Sequence, residues 1–244
     1  MKITGNTVLI TGGATGIGLE LARVLLERGN EVMICGRRRD RLESARSTNP
    51  GLHLRVADVA DPGSRARLVE WIASDHPRLN MLVNNAGVQH LFRFAEASGL
   101  AAIDEEIGIN LAAPIHLTTL LLPRLAAQPE SAVVNVSSGL AFAPLAHMPV
   151  YCATKAALHS LTMSLRHQLR DTTVRVFEVI PPIVASELGA AHRPPEMNRS
   201  AMPAAAAAGA IVAALEADVF EVAFGGAEEL RVKRDALFPF MNRA

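Results

Sequence analysis

VLITGGATGIGLELARVLLER, residues 8–28, is the stretch on which the fold turns. It begins with four β-branched or apolar residues and ends with apolar residues at helical spacing, and glycines punctuate the seam between the two. A buried strand therefore runs through a tight turn into a helix. Gly12 permits the turn, Gly16 lets a phosphate approach the backbone, and Gly18 lets the helix pack closely, while the amides at the helix N-terminus point at an anion. The candidate lining of a pyrophosphate site is thus Gly12, Thr15, Gly16, Ile17 and Gly18.

The same strand-then-helix texture repeats along the chain. Strands are expected at 8–11, 31–35, 52–57, 81–84, 132–137, 174–180 and 219–224, and helices at 18–28, 38–47, 63–74, 100–125, 150–170 and 203–216. Nearly continuous apolar strands separated by helices imply a parallel sheet covered on both faces. The expected fold is α/β: a Rossmann-type, doubly wound sheet of about seven strands in a single domain spanning 1–244. Ligands of such sheets bind beyond the carboxyl ends of the strands, which is where the informative residues fall.

Composition narrows the partner. The formal net charge is zero, which argues against a nucleic-acid or membrane-surface partner and for a small molecule. The opening MKITGNTVLIT has no long apolar run of a signal peptide, so a cytoplasmic location is expected. Cys35 and Cys152 are too few for a disulfide framework, the eight histidines show no ligand spacing, and no metal is expected. The alanine-rich stretch 201–217 is too short and too weakly apolar for a membrane span and reads as a helix of the domain.

Where an acid would accept the ribose hydroxyls of NAD, at the end of the second strand, stand Gly36 and then Arg37, Arg38 and Arg39. Guanidinium groups bind a 2'-phosphate that a carboxylate would repel, so NADP(H) is favoured, with Arg37 its main contact and NAD(H) still possible. Further along, Tyr151, the sole tyrosine, precedes Lys155 by four residues in YCATK. On a helix the two share a face, so the ammonium is placed to lower the phenol's pKa and make an acid/base pair.

TGGATGIG, Asp58 with Val59, NNAG at residues 84–87, Asn110, the pair Ser137 and Ser138, and YCATK together resemble a short-chain dehydrogenase/reductase over about residues 7–186. Within that family SGLAF, PVYCATKAALHS and LRHQLRDT are most similar to the oxidoreductases of bacterial D-alanylation operons. The resemblance implies an NAD(P)-dependent enzyme that interconverts CH–OH and C=O. It places Asp58 and Val59 beside the adenine, and Asn85, Ala86 and Gly87 beside the adenosine ribose and along the sheet's rim. Ser138 would hydrogen-bond the substrate oxygen while Ser137 faces away. Tyr151 would be the acid/base, Lys155 would also bind the nicotinamide ribose, and Asn110 would help hold a water in a proton relay.

Beyond the sixth strand the family pattern of Pro-Gly and a later Thr is replaced by Pro181, Pro182, Ile183, Val184, Ala185 and Ser186. Pro182 lacks an amide donor and fixes φ, which puts the nicotinamide contacts in question, although Ile183 and Ser186 still match positions that touch the carboxamide and phosphate region, and Pro181 and Ile183 are kept as cofactor contacts. The substrate pocket is expected between Leu140, Phe142, Leu145 and His147 and a loop over about 183–203, which suits an apolar carbonyl compound. The apolar surplus of the helices at 100–125 and 150–170 suggests a homodimer or homotetramer. The alternative to an enzyme is an NADP-sensing regulator without turnover.

Overall fold

The computed structural model describes residues 1–96 and 99–242. Seven strands form one parallel sheet: β1 (Thr7–Thr11), β2 (Glu31–Gly36), β3 (Leu52–Val56), β4 (Met81–Asn84), β5 (Ser131–Val136), β6 (Val174–Ile180) and β7 (Glu221–Ala223), in the order β3-β2-β1-β4-β5-β6-β7. The order reverses direction between β1 and β4, so their carboxyl ends open a crevice, and the glycine turn follows β1 directly.

Alternation along the strands builds two apolar layers. In β1, Val8 and Ile10 join one core cluster while Leu9 joins the other; in β2, Val32 and Ile34 part from Met33 and Cys35 in the same way. The first layer is covered by α1 (Gly16–Glu27) and α2 (Arg39–Thr48), the second by α3 (Pro62–Asp75) and α5 (Ala113–Ala126), while α6 (Pro149–Gln168) packs on β6 and α4 (Leu100–Ile107) on α6. Each fully buried aliphatic side chain, such as Leu25 or Leu121, contributes about 1.5–3 kcal/mol. Pro62 opens α3 and Asp61 caps it, accepting from the Ser64 amide at 2.6 Å.

The expected helix at 100–125 is interrupted. Between α4 and α5 lies a π-helical turn, Gly108–Ala112, centred on Asn110. Pro114, at the start of α5, has no amide to give the Asn110 carbonyl, so the regular α pattern fails there. Past β6, two elements absent from the sequence-based reading, α7 (Pro195–Arg199) and the short helix between residues 190 and 192, occupy the expected loop. The alanine-rich stretch forms α8 (Ala204–Glu216), whose Ile211, Val212 and Leu215 pack into the first layer. The last strand is shorter than expected, and the tail adds α9 (Gly226–Lys233) and α10 (Phe238–Met241). Among the described residues no helix is long and apolar enough to cross a membrane.

Candidate active site

The carboxyl ends of β1 to β4 surround a cleft of about 380 Å³, lined by Gly12, Thr15, Gly16, Ile17, Arg37, Asp58, Val59, Asn85, Ala86 and Gly87. Its glycine turn has no room for added atoms. A Cβ on Gly18 would lie 2.5 Å from the Gly12 carbonyl oxygen, and one on Gly12, where φ is +65°, would lie 2.9 Å from the Ala86 Cα. Thr11 locks β1 to the strip after β4, its Oγ1 accepting from the amides of Asn85 and Ala86, each at 3.0 Å. The Asn85 side chain donates back to the Thr11 and Gly12 carbonyls at 2.9 and 3.2 Å, so it braces the turn. Asp58 turns its Oδ1 to the Ala60 amide at 2.9 Å.

Gly36 has open space where a Cβ would stand. Arg37 reaches Glu105 of α4 at 2.5 Å, while Arg38 and Arg41 both reach Glu187, at 2.7 and 3.0 Å. Glu187 belongs to the segment after β6, and residues 186–189 form part of the cleft wall. That segment is pinned at its base by Met202, whose amide donates to the Ile183 carbonyl at 2.9 Å and whose carbonyl accepts from the Ala185 amide at 2.8 Å. Arg193 fastens it from inside through the carbonyls of Val184, Ser186 and Leu188. Pro181 and Ile183 are not on the cleft wall, whereas Ser186 approaches Gly16 closely. Pro182 packs by Gly225, which takes φ +57°.

Beyond Gly87 the cleft meets the expected reacting groups. The position of a Cβ on Gly87 is 3.4 Å from Asn110 Oδ1 and 3.8 Å from Lys155 Nζ. Ser138, Tyr151 and Lys155 are 9%, 5% and 4% exposed. Lys155 lies 5.7 Å from the Tyr151 ring centroid and donates to the Val136 carbonyl at 2.8 Å. The expected lowering of the phenol by Lys155 is not what the geometry gives. Burial pushes Tyr151 up to about 12, opposed by a hydrogen bond with Ser138. Burial pushes the Lys155 ammonium down to about 8, opposed by the charge of Glu178. Asn110 is fully buried, its Oδ1 accepting from the Val88 amide and its Nδ2 donating to the Val88 carbonyl, each at 2.9 Å, so its side chain fixes the rim of the cleft.

The expected pocket walls divide. Leu140 and Leu145 pack with Met148, Tyr151 and Cys152. Phe142 instead packs with Ile180 and Ala227 under α9, its ring edge-on to His159 of α6 at 4.6 Å. His147 is exposed, and its carbonyl accepts from the Phe92 amide at 3.0 Å. Two buried acids near the site, Glu106 and Glu178, escaped sequence reading: each sits in a stretch where a charge ordinarily marks a solvent face.

A family model described as short chain dehydrogenase matches residues 6–197. The chain is 55% identical over 194 residues to DltE of Bacillus subtilis (strain 168), an uncharacterized oxidoreductase, with 79% of this chain and 77% of that protein covered. Among solved structures, a short chain dehydrogenase from Burkholderia cenocepacia J2315 in complex with NADP superposes with a TM-score of 0.83 at 28% identity, covering 96% of this chain and 94% of that one. A short-chain dehydrogenase from Sphingobium yanoikuyae in complex with NADPH gives 0.81 at 25% identity, covering 89% and 87%.

Proposed function

The chain belongs to the short-chain dehydrogenase family, and from that premise we propose that it is an NADP(H)-preferring oxidoreductase whose main direction is reduction of a carbonyl to an alcohol. The observation that carries this reading is the convergence of Ser138, Tyr151 and Lys155, all buried, at the carboxyl end of β5 where the cleft ends. A nicotinamide cofactor, when bound, supplies the hydride. Ser138 and Tyr151 hydrogen-bond the carbonyl oxygen as negative charge grows on it, and Tyr151 then gives up its proton. A phenol held near 12 remains protonated throughout the neutral range, which suits a proton donor. Lys155 binds the nicotinamide ribose from its place 5.7 Å from the centre of the phenol ring.

The glycine turn, the open space at Gly36 and the arginines beyond it fit a dinucleotide with a 2'-phosphate. Half-exposed pairs such as Arg37–Glu105 are worth about 0–1 kcal/mol, so they yield readily to a phosphate. The NADP- and NADPH-bound relatives support the same assignment. Residues 1–244 act as one nucleotide-binding and catalytic unit in the cytoplasm, with 183–203 shaping the substrate side. Exposed Ile107, Ile115, Leu120 and Met163 on α4, α5 and α6 are suited to pairing two copies, which light scattering at micromolar protein tests; a monomer there contradicts it. The function itself is tested with a panel of aldehydes, diketones and quinones: NADPH absorbance falls with at least one of them, and no turnover with any of them sinks the reading.

A further inference from the structure

Beneath the reacting groups lies a second polar set. Glu178, in the middle of β6, is fully buried; its Oε1 accepts from Ser137 Oγ at 2.6 Å, and its Oε2 lies 2.8 Å from His159 Nδ1. Both oxygens meet a donor when His159 carries its proton on Nδ1, the arrangement of an ionised carboxylate, which only accepts. A carboxylate enclosed in this way persists only with such donors and a counter-charge close by. The buried cation available is Lys155, which precedes His159 by four residues and so shares its face of α6. One tripeptide ties the parts together: the Val136 carbonyl holds Lys155, Ser137 holds Glu178, and Ser138 stands beside Tyr151.

We propose that Glu178, seated by Ser137 and His159, is a positioning residue of this site: its carboxylate keeps the Lys155 ammonium charged and fixes the strand end that presents Ser138 to Tyr151. The assignment rests on the reading of Lys155 and Tyr151 as the reacting pair. The surroundings limit other roles. Lys155 lies beside Tyr151 on its own helix and near Asn110 at the Gly87 strip, with Glu178 on β6 beyond hydrogen-bond reach but acting through its charge, and the buried Glu106 of α4 is the other acid near the pair. Glu178 faces Ser137 from β5, His159 from α6 and, across the register from β7, Glu221. His159, Glu178 and Glu221 bring their ligand atoms within 4.8 Å of one another, yet Glu221 is held by Arg231 and lies 3.9 Å from Arg166, so the trio is a charge network and not a cation site. Phe142 closes the set from outside, its ring edge-on to His159 at 4.6 Å. Burial pulls the Lys155 ammonium down to about 8 and Glu178 is what opposes it.

The chain has three lysines, Lys2, Lys155 and Lys233, so carbon-13-labelled lysine gives three resolvable titrations by NMR. The signal that disappears in Lys155→Met is expected to titrate well below the other two. Glu178→Gln keeps the shape and an acceptor for Ser137 but removes the charge; it should move the Lys155 midpoint to lower pH by about one pH unit and leave Lys2 and Lys233 in place. An unchanged midpoint overturns the proposal. Should that variant not fold, His159→Gln gives a smaller movement in the same direction, and no movement overturns it. In turnover, the alkaline limb of kcat should follow the NMR midpoint; a uniform fall in kcat at every pH would mean that Glu178 only supports the fold. Because the titration needs no substrate, an inactive wild type with a moving midpoint would sink the oxidoreductase reading alone, and an active enzyme with a fixed midpoint would sink only this one.

Discussion

At the mouth of the cleft the charges are half exposed and already paired, Arg37 with Glu105 and Arg38 and Arg41 with Glu187, whereas at its inner end Ser138, Tyr151 and Lys155 are less than a tenth exposed. The same kinds of group therefore act at different strengths. Water and counter-ions screen the mouth, so its charges set a preference that is modest and sensitive to salt. The inner end is dry, so each hydrogen bond there is strong and the loss of one partner is felt in full.

The contrast predicts a graded series. Largest is Ser138→Ala, which removes a donor to the developing oxyanion and should lower kcat by roughly 10²–10³ with cofactor affinity little changed; equal damage from Ser137→Ala would show that the wrong serine has been assigned. Ser137→Ala leaves one oxygen of Glu178 without its donor and should appear mainly as a loss of about 1–3 kcal/mol in stability, read by denaturant unfolding. Next is Gly36→Asp. A carboxylate in the open space there repels a 2'-phosphate and accepts ribose hydroxyls, so the NADPH-over-NADH preference should fall roughly ten- to a hundredfold or reverse; titrations of both cofactors that look like wild type would contradict it. Smallest is Glu187→Gln, which frees Arg38 and Arg41 and should tighten NADPH by about threefold at low salt, an effect that fades in high salt.

At alkaline pH the buried groups act in opposite directions. Lys155 binds its proton less tightly in the folded protein, about 8 against 10.5, so between those values the unfolded chain carries more protons there and raising the pH favours folding. Tyr151 acts oppositely, because the folded protein keeps its proton to about 12 while the unfolded chain loses it near 10. Lys155 therefore adds stability from pH 8 towards pH 10, while Cys35, whose thiol burial pushes up to about 12, Cys152, which burial also raises, and Tyr151 remove stability above about pH 9, so the Lys155 contribution is read as the difference between wild type and Lys155→Met. Thermal unfolding of both cofactor-free proteins across this range checks the sign of that difference.

Sequence alone gave up the sheet, because alternation and glycine punctuation are local signals, and gave up YCATK because its spacing is that of one helix face. The π-turn at Asn110 was hidden: the helix was expected to run unbroken over 100–125, and the missing donor of Pro114 matters only once the neighbouring turn is built. The pairs at the mouth were out of reach because Arg37 and Glu105, or Arg38 and Glu187, are far apart in the chain and no periodicity links them. Glu178 was masked by its context in VRVFEVI, where one acid in an apolar strand suggests an edge facing water; only the pairing of β6 between β5 and β7 shows that it is enclosed. Phe142 misled because three residues of turn separate it from Ser138 and carry it away from Leu140 and Tyr151 to pack with Ile180, Ala227 and His159.

The central claim is that a single buried phenol supplies the proton. It is tested most directly by measuring kcat and NADPH affinity together for wild type and Tyr151→Phe on one accepted carbonyl substrate. With no second tyrosine to take its place, the variant should bind NADPH as wild type does and turn over roughly 10²–10⁴-fold more slowly; a variant that keeps most of its activity would contradict the account.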